Sequence, residues 1–143
     1  MAFTPVSEAS DFSNVDRVND GNTNNYAEDN SYGNTADLVL QLNRSAAPNE
    51  LVIWNRNSDY RPTAATVYGG ESVDACNTQI GSAQRLSFRN NRATITLNTQ
   101  GTEYAYVRIS FEGPTSSRRN IRIYELELHD DSPAQLAKIQ HKP

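Results

Sequence analysis

The chain has 143 residues, of which 36% are hydrophobic and 21% charged, and a formal net charge of −4. That length builds one domain with a real core, and the acidic balance lacks the basic footprint that non-specific nucleic-acid binding needs. No run is apolar and long enough to span a bilayer. The single cysteine, Cys76, excludes an intramolecular disulfide and a cysteine-built zinc site.

Mean hydropathy is −0.70, yet charge is scarce. The polarity comes from Asn, Ser and Thr, which favour turns and strand surfaces over helix interiors. At the N-terminus, Met1-Ala2-Phe3-Thr4-Pro5 shows no basic segment followed by an apolar one, so no signal peptide is read there. Residues 11–35 are rich in Asn, Asp, Ser, Gly and Tyr and read as a long loop. A loop of that length needs a function or an ion to order it.

Strand patterns follow. Residues 36–42 alternate partly, and residues 50–56 follow a Pro48-Asn49 turn. Residues 64–68 end at Gly69-Gly70. Residues 92–97 alternate cleanly, as do 103–110 after Gln100-Gly101. In residues 121–128 the apolar phase switches between Ile123 and Tyr124. Either a bulge lies there or an inward position is a carboxylate with a role. Only residues 133–138 suggest a helical turn, within a tail or linker at 132–143; residues 1–131 read as the domain. Short strands joined by turn-rich loops predict an all-β antiparallel sandwich.

Two loops carry candidate chemistry. The run Val18 to Tyr26 centres on Asp20-Gly21-Asn22, which is an ordinary tight-turn sequence. It is also the beginning of a calcium cage: Asp20, Asn22 and Asn25 offer hard oxygens, and a second carboxylate from elsewhere would complete it. The second loop offers Asn57, Asp59, Tyr60 and Arg61: an amide, a carboxylate, a ring and a guanidinium within five positions. That mix suits a sugar, whose C–H face stacks on an aromatic while polar groups fix its orientation. A solvated turn with ordinary charges is the competing reading. Trp54 lies inside a strand, where packing is favoured over sugar stacking. Arg118, Arg119 and Arg122 read as a solvated loop edge. Cys76 reads as a half-buried loop thiol without a histidine partner.

The run 19–26 resembles the "DGNxxT" segment of the discoidin, or coagulation factor type-C, superfamily. That group includes galactose-binding-like carbohydrate-binding modules and F-type lectins. Residues 38–42 resemble its "LxIDLG" strand, and Val52-Ile53-Trp54-Asn55-Arg56 its "IxIxNR" strand. Tyr106-Val107-Arg108-Ile109 resembles "rYVRi", and residues 123–128 the closing "lxEIElyG" strand. The match spans roughly residues 6 to 130.

The resemblance implies a jelly-roll sandwich with a structural calcium. Asp20 and Glu125 would supply side chains, and Val18, Asn22 and Asn25 carbonyls, with the Asn25 amide oxygen in addition. Asn25 stands where the family prefers Thr, and Ala27 where it often has Trp. The sugar would sit between loops 26–33, 55–62 and 113–120. Tyr32 and Glu28 would then close one side, and Arg118, Arg119 and Asn120 another. The fucose signature of F-type lectins is broken: no histidine precedes His129, and Arg56-Asn57-Ser58 lacks the Arg-x-Asp spacing. The expectation is a non-catalytic, extracellular or cell-surface domain binding galactose-type or related glycans. The alternative is a protein-interaction or assembly module on the same fold. Polar end loops disfavour a membrane. A place within a larger parent protein or a homo-oligomer stays open, and no nucleophile–histidine pair argues for an enzyme.

Overall fold

The computed structural model describes residues 1–30, 35–113 and 120–130. Among the described residues eleven strands run in chain order: β1 (Phe3–Pro5), β2 (Phe12–Ser13), β3 (Ala27–Asp29), β4 (Thr35–Ala46), β5 (Glu50–Trp54), β6 (Ala64–Gly70), β7 (Thr78–Ala83), β8 (Arg92–Thr96), β9 (Tyr104–Glu112), β10 (Arg122–Ile123) and β11 (Glu125–His129). Four short 3-10 turns interrupt them, and there is no α-helix among the described residues.

All pairings are antiparallel. One sheet has the order β1-β4-β9-β6-β7; two three-stranded sheets have the orders β11-β5-β8 and β10-β3-β2. The alternation read from the sequence places the core between layers. Leu38 and Leu40 of β4, Val67 of β6, and Ile109 and Phe111 of β9 join one cluster with Leu51 and Ile53 of β5, Ile95 of β8, and Leu126 and Leu128 of β11. Each such side chain contributes about 1.5–3 kcal/mol of burial free energy. Phe3 belongs to the same cluster, so both ends of the described chain share one core.

The phase switch near residue 123 has a topological cause. β10 pairs with β3 (Arg122 opposite Glu28), whereas β11 pairs with β5 (Glu125 opposite Trp54). Between them the Tyr124 N–H donates to the Trp54 carbonyl at 2.9 Å. The strand leaves one sheet and joins another, which rotates its apolar face. Ile121 and Ile123 are buried before the crossing, and Leu126 and Leu128 after it.

Three other expectations change. β6 runs through Gly69-Gly70 instead of stopping there. A Cβ on Gly70 would lie 2.2 Å from the Ala75 carbonyl oxygen, so the neighbouring turn packs directly on the bare backbone. Residues 11–35 are not one loop: β2 and β3 form inside them, and β4 begins at Thr35. Cys76 is buried, only 1% exposed, not half-buried. The expected turn at 133–138 and the tail lie outside the described residues.

Candidate functional site

The Asp20 loop is organised by its own short polar side chains. Asp20 Oδ1 accepts from the Asn22 N–H at 2.9 Å, and Asn22 Oδ1 from the Asn24 N–H at 2.8 Å. These Asx turns curl the backbone. Asn25 Nδ2 donates to Asp20 Oδ2 at 3.0 Å. The loop is tied to the closing strand by the Gly21 N–H, which donates to Glu125 Oε2 at 3.1 Å.

This arrangement leaves two oxygens unsatisfied. Asn25 Oδ1 and Glu125 Oε1 are buried and have no hydrogen-bond partner. A buried acceptor without a donor is costly, unless a cation takes it. Glu125 is also perturbed: burial, with the charges of Asp20 and Glu127, pushes its carboxyl up to about 7 against the Gly21 hydrogen bond. Burial of Asp20 acts upward too, but hydrogen bonds from Asn22 and Asn25 outweigh it and hold its carboxyl below the usual range. Among the described residues no cluster of three His, Cys, Asp or Glu exists. A cation here would therefore draw on two carboxylates plus amide and backbone oxygens, a hard-oxygen set that suits calcium and not zinc. The residues fit the ion: Asp20, Asn22, Asn25 and Glu125 are drawn to one loop. Val18 buries its side chain completely, so only its carbonyl could contribute.

A second cluster forms where β3, the 55–62 loop and β10 meet. Asn55, fully buried, is its scaffold. Its Oδ1 accepts from the Asn57 N–H at 2.7 Å, and its Nδ2 donates to the carbonyls of Arg122 at 2.6 Å and Tyr60 at 3.2 Å. Asn57 in turn accepts from the Asp59 N–H at 3.2 Å, capping the 3-10 turn Ser58–Tyr60. The result sets Tyr60 against Arg122, whose guanidinium lies 3.6 Å from the Tyr60 ring centroid and 4.3 Å from that of Tyr26. Glu28 completes the group, accepting from Arg122 Nε at 2.7 Å. Arg122 is thus no solvated edge but the centre of an aromatic–cation–aromatic stack.

Of the residues expected at the sugar site, Glu28 and Tyr60 meet through Arg122, with Asn57 and Asp59 on the turn beside them. Asn120 is half-buried two positions before Arg122. Arg61 leaves this group: its Nε donates to the Asn55 carbonyl and its Nη2 to Asn91 Oδ1, each at 3.2 Å, and it covers the Phe88 ring at 4.9 Å. Its position in sequence suggested otherwise, but Arg61 leaves the 3-10 turn in extended backbone and bonds Asn91 of the neighbouring hairpin. Tyr32, Arg118 and Arg119 lie outside the described residues. Asn55 and Arg122 were missed as site residues, although Asn55 between Trp54 and Arg56 ends a strand with a turn-forming amide. Cys76, its thiol pushed up to about 11 by burial, is not poised as a nucleophile.

No family model matches the sequence, and no curated protein matches it. Solved structures match by fold. The carbohydrate-binding module CBM32 of AlyQ, in complex with 4,5-unsaturated mannuronic acid, superposes with a TM-score of 0.69 at 19% identity, covering 92% of this chain and 95% of that one. The module CpGH89CBM32-6 produced by Clostridium perfringens gives 0.67 at 13% identity, covering 90% and 94%. A GH31 CBM32-2 module bound to GalNAc gives 0.64 at 16% identity, covering 92% and 99%. The chain therefore shares the antiparallel β-sandwich fold of these modules.

Proposed function

We propose that this chain is a non-catalytic carbohydrate-binding domain. It recognises galactose-type or related glycans at the cluster where Glu28 and Tyr60 meet Arg122, with Asn57 and Asp59 on the same turn as Tyr60 and Asn120 two positions before Arg122. The observation that carries this reading is the Tyr26–Arg122–Tyr60 stack with Glu28 on its flank. It combines rings for a sugar's C–H face with a carboxylate and a guanidinium for its hydroxyls. Solved modules of the same fold carry GalNAc or an unsaturated mannuronic acid, which supports the same ligand class here.

Calcium has a structural part in this account. Tyr26 directly follows Asn25 in the sequence, and its ring packs on both Arg122 and Tyr124, the latter at 5.1 Å. An ion held by Asp20, Asn25 and Glu125 fixes that loop end and with it one wall of the stack. The domain acts outside the cell, where calcium is abundant and glycans are displayed.

A glycan array with folded protein, with and without a chelator, tests the reading. Selective retention of galactose-type glycans, weakened by chelation and by Arg122→Ala, is expected. Retention of no glycan by folded, calcium-loaded protein contradicts it.

A further inference from the structure

Away from the Tyr60 cluster, Arg61 reaches Asn91, Arg92 covers Trp54, and Arg56 lines a cleft with both of those residues. The hairpin between Arg89 and Arg92 turns at Asn90 and Asn91, both with positive φ (54° and 66°), the geometry of a type I′ turn that asparagine tolerates. That turn brings Asn91 onto the 55–61 loop, where its carbonyl accepts from the Asn55 N–H at 2.8 Å. Arg61 reaches the Asn91 side chain, and Arg92 lies over the Trp54 ring at 5.3 Å. Arg56 reaches across to Asn24 Oδ1 in the Asp20 loop. The walls enclose a cleft of about 180 Å³ lined by Thr23, Asn24, Trp54, Asn55, Arg56 and Asn91.

Arg56 is the one charged residue lining this cleft; Arg92 borders it over the Trp54 ring, and Arg61 reaches it only through Asn91. Arg56, Arg61 and Arg92 form no salt bridge among the described residues. The two carboxylates on the adjoining strand have partners of their own: Glu125 accepts from the Gly21 N–H, and Glu127 accepts from Trp54 Nε1 at the cleft wall and contacts His129. Guanidinium groups without acid partners, beside an aromatic ring and three amides, suit a small planar or tetrahedral anion carried on a sugar ring.

We propose that this cleft is a second glycan subsite, specific for an anionic sugar bearing a carboxylate or a sulfate group. It rests on the carbohydrate reading above and extends it, since the Tyr60 cluster has its own arginine paired to Glu28. The anion sits between Arg56 and Arg92, with the sugar ring against Trp54 and its hydroxyls on Asn24 and Asn91. A nucleic acid is disfavoured because the patch is short and the chain carries a net charge of −4.

The test is titration of the calcium-loaded protein with a uronic-acid oligosaccharide, its carboxyl-reduced counterpart, a sulfated oligosaccharide and the best neutral glycan from the array. The double variant Arg56→Gln/Arg92→Gln is measured beside the wild type, with melting temperature as the folding control. The exposed Arg56→Gln change alone serves if the double variant unfolds. Expected is binding of a charged oligosaccharide that falls at least tenfold on charge removal or in the variant, with the neutral glycan unaffected; the two charged probes separate carboxylate from sulfate. Charged glycans bound no better than neutral ones, or equally well by the variant, overturn the subsite and leave the carbohydrate reading standing. Equal affinity for single-stranded DNA or for anionic phospholipid vesicles also overturns it. Binding of no glycan of any kind removes both.

Discussion

The backbone N–H of Gly21 donates to the carboxylate of Glu125 across 104 positions of sequence, at 3.1 Å. This contact joins the polar N-terminal loop to the closing strand and leaves the second Glu125 oxygen buried without a donor. Calcium binding at this junction should stabilise the folded state by linkage, by roughly 2.7 kcal/mol at a hundredfold excess over Kd, and so raise the melting temperature. Glu125→Gln removes the charge and should abolish the calcium response. Differential scanning calorimetry with and without calcium checks this; an equal shift in the variant moves the ion elsewhere.

In chelator the same carboxylate sets a pH dependence. Burial, with the charges of Asp20 and Glu127, pushes it up to about 7 in the folded chain, from an ordinary value of 4.5. Between those values the folded chain holds a proton that the unfolded chain has released, so stability falls as pH rises through that window. The upper limit is about 1.4 kcal/mol per pH unit, and solvent contact of the half-buried side chain reduces it. Asp20, whose carboxyl is held below the ordinary value of 3.8, acts in the opposite sense, but only as pH drops below that value. Metal-free protein should melt lower at about pH 7.5 than at about pH 5, and calcium should cancel most of the difference. A flat profile in chelator contradicts this account of Glu125.

Two glycines should respond differently to Ala. At Gly70 the added Cβ meets backbone atoms of Ala75 and Cys76 at 2.2–2.6 Å, which have no room to give. A loss of roughly 1–3 kcal/mol is expected, lowering the melting temperature by several degrees. At Gly21, φ is +76° but nothing lies within 4 Å. Only backbone strain of about 1–2 kcal/mol opposes Gly21→Ala. Its calcium affinity should fall more than its metal-free stability, as thermal melts in both conditions would show. An unperturbed Gly70→Ala protein would mean that the turn at residues 73–75 packs differently.

Cys76 should not react with an aromatic disulfide reagent in the native state. It is 1% exposed, its Sγ–H points to the Tyr68 carbonyl at 3.5 Å, and burial raises its pKa to about 11. Reaction should start only with unfolding; rapid labelling of native protein would contradict the burial.

Much of the sandwich was legible because β8 and β9 keep apolar residues in period two, β4 does so in part, and β5 is a short apolar run behind a turn. β1, β2 and β3 were not, because two or three residues cannot show a period. β7 was missed because only Ile80 of Thr78–Ala83 is buried. Both ends of the Asp20 loop–Glu125 junction could be named from sequence, since a turn dictates its own residue types and a carboxylate at a phase switch stands out. Arg122 could not be recognised as a site residue. An arginine at an alternating strand position looks solvent-facing, and its partner Glu28 is 94 positions away. Likewise Arg61 was grouped with its sequence neighbours, while the loop geometry gave it to Asn91.

The central claim is tested most directly by titrating folded, calcium-loaded protein with glycans retained on the array, alongside Arg122→Ala. Arg122 touches Tyr26, Tyr60 and Glu28 at once, so its removal should cost at least tenfold in affinity for the neutral glycan while the protein stays folded. Unchanged affinity in the variant would place the sugar elsewhere. Absence of any saturable glycan binding by the wild type would contradict the carbohydrate-binding account.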